Sequence, residues 1–276
     1  PLLAKEGFRG EIITTAASRE LARLVMLDAA GLQEEDAERQ NRKARRGKKK
    51  REVEPLYTTL DALNCLDFFG RTASYQNPIQ LDEGISATFF DAGHILGSAS
   101  ILLELKEGKH HQRLLYSGDL GYSGRAILRD PNPPADVDIV IMETTYGDRS
   151  HKELEPTIEE LYEVINDTFQ RGGNVIIPTF ALERAQELLY YLREGVEAQR
   201  LPAAMQVFLD SPMAISATEI FRRHPECYDE EAMEIFRTSG DPFLLPGLHF
   251  TRETADSIAL NRLNGGAVIM AGSGMC

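Results

Sequence analysis

Residues 172–189 read GGNVIIPTFALERAQELL, and this stretch decides the class of fold. Residues 174–178 form a short apolar run of strand type, Thr179-Phe180-Ala181 makes the turn, and Leu182, Gln186 and Leu189 follow at helical spacing. The same rhythm recurs downstream. Residues 206–209 lead through Asp210-Ser211 into a helix with Pro212 at a favourable first position, and residues 267–270 lead into Ala271-Gly272-Ser273-Gly274. Strand, turn and helix in repeated alternation predict a mostly parallel sheet covered by helices from about residue 150 onward.

Upstream the pattern is different. Residues 87–90, 99–104 and 113–116 are short apolar or alternating runs, with Glu107-Gly108 as a turn between the last two. Residues 137–142 (VDIVIM) are continuous and β-branched, which predicts a strand buried on both faces. Nearer the start, Ser18 is a plausible N-cap for a helix carrying Leu21, Leu24, Val25 and Leu32 and ending at Glu34, Glu35 and Asp36; a second helix is expected over 59–69. Between them lies RQNRKARRGKKKR, residues 39–51, with nine of the 30 basic residues and no acidic one. As structure it reads first as a solvated loop between two helices, and as function it reads as an arm able to meet phosphates; the two readings are compatible.

Composition narrows the function classes. The 276 residues carry a formal charge of −13, and 42% are hydrophobic. No apolar run approaches the ~20 residues a bilayer-spanning helix needs, and the first residues show no basic-then-apolar signal. The expectation is a soluble cytoplasmic enzyme with no membrane partner. Cys65, Cys227 and Cys276 are widely spaced and odd in number, fitting neither a disulfide framework nor a cysteine zinc site. A negative total argues against nonspecific coating of nucleic acid but leaves room for a local positive cleft.

Three ionisable residues share one structural address. His94 follows the strand ending at Phe90, Asp119 follows the strand through Tyr116, and Glu143 terminates the 137–142 strand. Ligands collect where the strands of an α/β sheet end, so the three can converge on one cleft. Each has a plainer reading: a loop histidine bonded to backbone, a turn aspartate, and a carboxylate that must find a partner after a buried strand. Ser211 and the Gly272-Ser273-Gly274 turn are candidates for contacts to phosphate, or else an ordinary N-cap and a tight turn. Arg184 could neutralise a phosphate or pair with Glu187 on its helix face, and the structural role is the preferred reading. His110, His111, His151, His224 and His249 have no ligand-like spacing.

The ordered segments DAGHILGSAS (91–100), YSGDLG (116–121), METTYGDRSH (142–151), GGNVIIPTFALERAQELL (172–189), LDSPMA (209–214) and VIMAGSGM (268–275) resemble the metallo-β-lactamase-fold nucleases that carry an inserted β-CASP domain. That group includes ribonuclease J and the endonuclease of messenger-RNA 3′-end cleavage. The resemblance implies an α/β fold: a partial metallo-β-lactamase αββα sandwich over residues 1–147, and an inserted, mostly parallel β-CASP domain over 148–276. By the same resemblance His94 is a zinc-ligating histidine, Asp119 a carboxylate bridging two zinc ions, and Glu143 the acidic residue of the first β-CASP motif, which pairs with a later histidine. The implied activity is zinc-dependent hydrolysis of RNA phosphodiesters, endo- or 5′-exo-acting, with RNA as partner and a homodimer left open.

The family's His-x-His-x-Asp-His segment is expected before Pro1 and its later histidines after Met275. A catalytic zinc takes three protein ligands, so the chain by itself is expected to bind zinc weakly and cleave RNA poorly. Two rival readings stand beside this one: a noncatalytic RNA-binding or scaffold member of the family, and a metallohydrolase acting on DNA or a small ester.

Overall fold

The computed structural model describes residues 1–46, 52–149 and 153–272. Its contacts divide the chain into two compact units, Pro1–Asn77 and Pro78–Cys276. The boundary read from the sequence, 147/148, falls inside the second unit, between its two sheets.

In the first unit, α1 (Leu2–Lys5), β1 (Ile12–Thr15), α2 (Ala16–Arg46), α3 (Thr59–Cys65) and β2 (Phe69–Ala73) follow in order. The two strands pair in parallel, and Ala4, Cys65 and Phe69 form a small core with Ile12, Ala22 and Met26 packed on it. Thr58 and Asp61 close a reciprocal capping box at the start of α3. That helix stops at Cys65 and tightens into a 3₁₀ turn, Leu66–Phe68, short of the residue 69 end expected from the sequence.

Helix α2 departs further from its expected bounds. It begins at Ala16, the Ser18 amide donates to the Thr15 hydroxyl (3.2 Å), and the helix continues past Asp36 to Arg46. The continuation has a physical basis in the returning chain. Asn41 exchanges two hydrogen bonds with the Val53 backbone (2.9 and 2.8 Å), Arg45 pairs with Glu52 at 3.0 Å, and Glu34 accepts from Thr59 at 2.5 Å. Residues 39–46 of the basic run are therefore helix, not loop; residues 47–51 lie outside the described residues.

The second unit opens with a five-stranded mixed sheet: β3 (Ile79–Asp82), β4 (Ile85–Asp91), β5 (Ala99–Glu107), β6 (His110–Tyr116) and β7 (Ile139–Ile141), in that spatial order. The first four are antiparallel neighbours, and β7 runs parallel to β6. Strand β7 corrects the sequence reading. It lies at the sheet edge with all three residues exposed, Val140 at 54%. A β-branched run dictates a strand but not what covers it, and β7 has one neighbour.

After it come α4 (Leu154–Gln170), β8 (Val175–Thr179), α5 (Arg184–Glu197), β9 (Gln206–Asp210), α6 (Pro212–Arg223), α7 (Glu230–Ser239), β10 (Leu248–Phe250), α8 (Thr254–Leu260) and β11 (Ala267–Gly272). The four strands form the expected all-parallel sheet, ordered β10-β9-β11-β8. Val207, Leu209, Val268 and Met270 from the sheet and Leu189, Leu192, Ile215 and Phe221 from α5 and α6 are buried. Gln186 is fully buried too, and its amide bonds Thr218 (2.9 Å) and the Ala181 and Ala214 carbonyls, tying α5 to α6. Cys65 and Cys227 are free and buried, and burial pushes the Cys227 thiol up to about 12. Among the described residues no helix is long and apolar enough to cross a membrane.

Candidate metal centre

Strand direction brings the three candidate residues to one edge. Because β4 is antiparallel to β5 and β5 to β6, the ends of β4, β6 and β7 that precede His94, Asp119 and Glu143 point the same way. The His94 loop is shaped by Ser98, whose hydroxyl accepts from the His94 and Ile95 amides (3.1 and 3.2 Å). The Asp119 loop then lies directly on it. The Gly121 amide donates to the Ala92 carbonyl at 2.8 Å. A Cβ at position 121 would fall 1.6 Å from the Gly93 carbonyl oxygen, so only glycine permits this approach.

The result places His94 Nε2 3.9 Å from Asp119 Oδ2, with the side chains 39% and 76% exposed. That gap is too long for a hydrogen bond, so neither group satisfies the other. Two ligands of one tetrahedral zinc stand ~3.2–3.6 Å apart. At 3.9 Å the imidazole and the carboxylate stand a few tenths of an ångström wider than that; both are reachable from solvent, and a small side-chain rotation would bring them to the spacing of two zinc ligands. Among the described residues no group of three or more His, Cys, Asp or Glu is placed to hold a metal ion.

Glu143 sits beside the pair as an acceptor. Its Oε1 takes a hydrogen bond from the Leu120 amide at 2.5 Å, and its own amide donates to the Ser117 hydroxyl at 3.2 Å. The bonds from Leu120 and then Thr145 hold its carboxyl below its ordinary value, with a small contribution from His94. Glu143 thus stays ionised and fixes the residue next to Asp119.

The other predicted residues divide. Ser211 is buried and its hydroxyl accepts from the Ala214 amide (3.2 Å), which makes it the N-cap of α6. Gly272 is the last residue of β11, paired with Thr179 rather than lying in a turn; Ser273 and Gly274 lie outside the described residues. Arg184 pairs with Glu187 at 3.0 Å, as read. His111 approaches Glu104, His224 bonds Glu226 and His249 stacks on Phe208, while His151 lies outside the described residues.

Sequence reasoning passed over Ser98, Gly121, Arg125 and Glu183. Arg125 donates to the His94 carbonyl at 2.8 Å and to Glu187 at 2.8 Å. Glu183, buried and at φ 65°, accepts from the Leu96 amide at 3.0 Å. The signal available for Glu183 was its position at the mouth of the helix in FALERAQELL; no pattern reports a contact 87 residues away.

A mixed sheet with a histidine and a carboxylate at one edge, followed in the chain by a parallel α/β sheet, defines the metallo-β-lactamase fold with a β-CASP region. Residues 185–276 match the Beta-Casp domain family. The chain is 36% identical over its whole length to Ribonuclease TTHA0252 of Thermus thermophilus, of which it covers 57%. It is 32% identical over 88% of its length to Transcription termination factor FttA of Methanosarcina mazei, and 28% over 91% to Endoribonuclease YSH1 of Candida glabrata. It spans 36% and 31% of those two proteins. The chain is thus similar to β-CASP proteins of the metallo-β-lactamase fold, and residues 185–276 carry the domain that defines them.

Proposed function

We propose that the protein containing this chain is a zinc-dependent ribonuclease, and that His94 and Asp119 supply two of its metal ligands. The observation that carries the reading is the 3.9 Å approach of two solvent-exposed donors, one imidazole and one carboxylate, on loops locked backbone to backbone. Names borne by the relatives, ribonuclease and endoribonuclease, support RNA as the substrate. Zinc, when bound, supplies a water acidified toward pKa ~7 and a positive charge to meet the developing phosphate charge.

The chain's own residues provide the frame. His94 presents Nε2 from a turn fixed by Ser98. Asp119 presents its carboxylate from a loop fixed by Gly121 on one side and Glu143 on the other. Glu143 accepts hydrogen bonds and, being ionised, acts as an anchor rather than as a proton donor. Substrate phosphates are assigned to the sequence Gly272-Ser273-Gly274, of which Gly272 closes β11 at the carboxyl edge of the parallel sheet.

The test uses the whole protein with an end-labelled RNA and measured zinc content. His94→Ala and Asp119→Asn are each expected to lower zinc occupancy and cut turnover by at least ~100-fold. Full occupancy and turnover in both variants would overturn the assignment. An RNA blocked at its 5′ end separates internal cleavage from 5′-exonucleolysis.

A further inference from the structure

Behind the His94 loop lies a buried charged cluster that neither metal donor uses. The Arg125 side chain is 10% exposed; it donates to the His94 carbonyl at 2.8 Å and, through two nitrogens, to Glu187 Oε1 at 2.8 Å each. Its guanidinium also stacks on Tyr122, 5.5 Å from the ring centroid. Glu183 Oε2 accepts from the Leu96 amide at 3.0 Å, while its Oε1 is buried without a hydrogen bond, 3.9 Å from Arg125. The loop bearing His94 is therefore gripped at a carbonyl and at an amide two residues on. Both grips rest on the first turn of α5 or the residue that precedes it.

Stability alone is a poor reason for this arrangement. Buried ion pairs are often matched or bettered by apolar residues of the same volume. Glu183 also holds a positive-φ γ-turn backbone, φ 65° and ψ −60°, closed by the Arg184 amide on the Leu182 carbonyl; such a backbone costs a non-glycine residue ~1–3 kcal/mol. Two carboxylates sharing one guanidinium leave Glu183 with its carboxyl pushed up to about 8, chiefly by burial. Costly groups concentrated on one loop specify that loop's shape.

We propose that Arg125, held by Glu187 and flanked by Glu183, is a positioning residue that sets the His94 loop for metal binding and couples α5 to it. The inference rests on the reading of His94 and Asp119 as metal donors.

Cobalt(II) is the probe, added to the whole protein in place of zinc, with affinity read by chelator competition and ligand geometry by the visible absorption band. Arg125→Met and Glu187→Gln are expected to weaken cobalt binding about 10-fold, the lower end for groups that orient a ligand, and to shift the band. Arg125→Lys recovers part of the loss. Leu189→Ala, a fully buried position on the same helix, is expected to lower Tm with affinity and band unchanged. Glu187→Gln keeps shape and hydrogen bonding, so it carries the test where an Arg125 variant does not fold. Wild-type affinity and band in Glu187→Gln and in every folded Arg125 variant would overturn the positioning role while leaving the metal reading intact. Cobalt binding that is indifferent to His94→Ala would overturn both.

Discussion

Glu143 accepts a hydrogen bond from the Leu120 amide, in the loop of Asp119, and Glu183 accepts one from the Leu96 amide, in the loop of His94. The two carboxyls anchor adjoining loops from opposite sides, yet their surroundings differ. Glu143 is partly open to water and gathers donors, which favour its charge. Glu183 is buried, and desolvation outweighs the help it receives from Arg125. On the outer side the backbone is pinned so that His94 and Asp119 stand free. On the inner side Arg125 pairs with Glu187 and both Arg125 and Glu183 hold the loop, with Glu183 Oε1 left without a hydrogen bond. His94 and Asp119 keep donor atoms open to solvent, whereas those of Glu183 are buried.

The contrast is broken most severely at Gly121, where the two loops touch. Gly121→Ala puts a Cβ against the Gly93 carbonyl, and neither backbone can yield without losing the Gly121 to Ala92 bond. We expect a loss of at least ~3 kcal/mol in denaturant unfolding, together with cobalt affinity reduced beyond that of Arg125→Met. Near-native stability would mean that the loops are not in contact as described.

Much of this contrast was legible in the sequence on one side and illegible on the other. His94, Asp119 and Glu143 announced themselves because each follows an apolar run, and strand ends gather by topology. The parallel sheet was equally readable, since Val175–Thr179, Gln206–Asp210 and Ala267–Gly272 each fall within a residue or two of the expected strand. What escaped depended on distant partners. Helix α2 outruns its acidic end because Asn41 finds Val53, and β7 is exposed because sequence cannot say what packs beside a strand. Glu187 read only as the partner of Arg184 and Glu183 was passed over; only the fold delivers Arg125 to them.

The second effect in size separates the glutamates by pH. Glu183 has its folded pKa raised from an ordinary 4.5 to about 8. The folded state therefore holds a proton that the unfolded state has released, and stability falls as pH rises between those values, by up to ~1.4 kcal/mol per unit. Glu183→Gln keeps the acceptor for Leu96 and removes the titration. Its unfolding free energy should be flatter from pH 5 to 8 and exceed wild type at pH 7 by on the order of 2 kcal/mol. Parallel pH profiles for the two proteins would show that Glu183 is ionised in the fold.

Glu143 gives the opposite and smaller signature. Its folded pKa is lowered, so its contribution is present above the unfolded value near 4.5 and is lost as pH falls below that. Screening by solvent keeps the effect under ~1 kcal/mol. Glu143→Gln should lose stability relative to wild type at pH 7 and converge with it at pH 3. A difference that persists at pH 3 would assign the effect to packing instead of charge.

The smallest expected change concerns the first unit, where charge is presented outward with no loop to anchor. Arg39 and Arg45 are paired with Asp36 and Glu52, whereas Arg42 and Lys43 are exposed on the same helix and form no ion pair among the described residues. A phosphate contact by either adds ~0.7 to the slope of log affinity against log salt for single-stranded RNA. The double variant Arg42→Gln, Lys43→Gln should lower that slope by about 1.4, while the cobalt band, set by the second unit, stays where it is. The basic stripe then adds affinity that does not depend on RNA sequence, because phosphate charge is the same at every nucleotide. An unchanged slope would leave the stripe with the plainer role of complementing the carboxyl end of a long helix dipole.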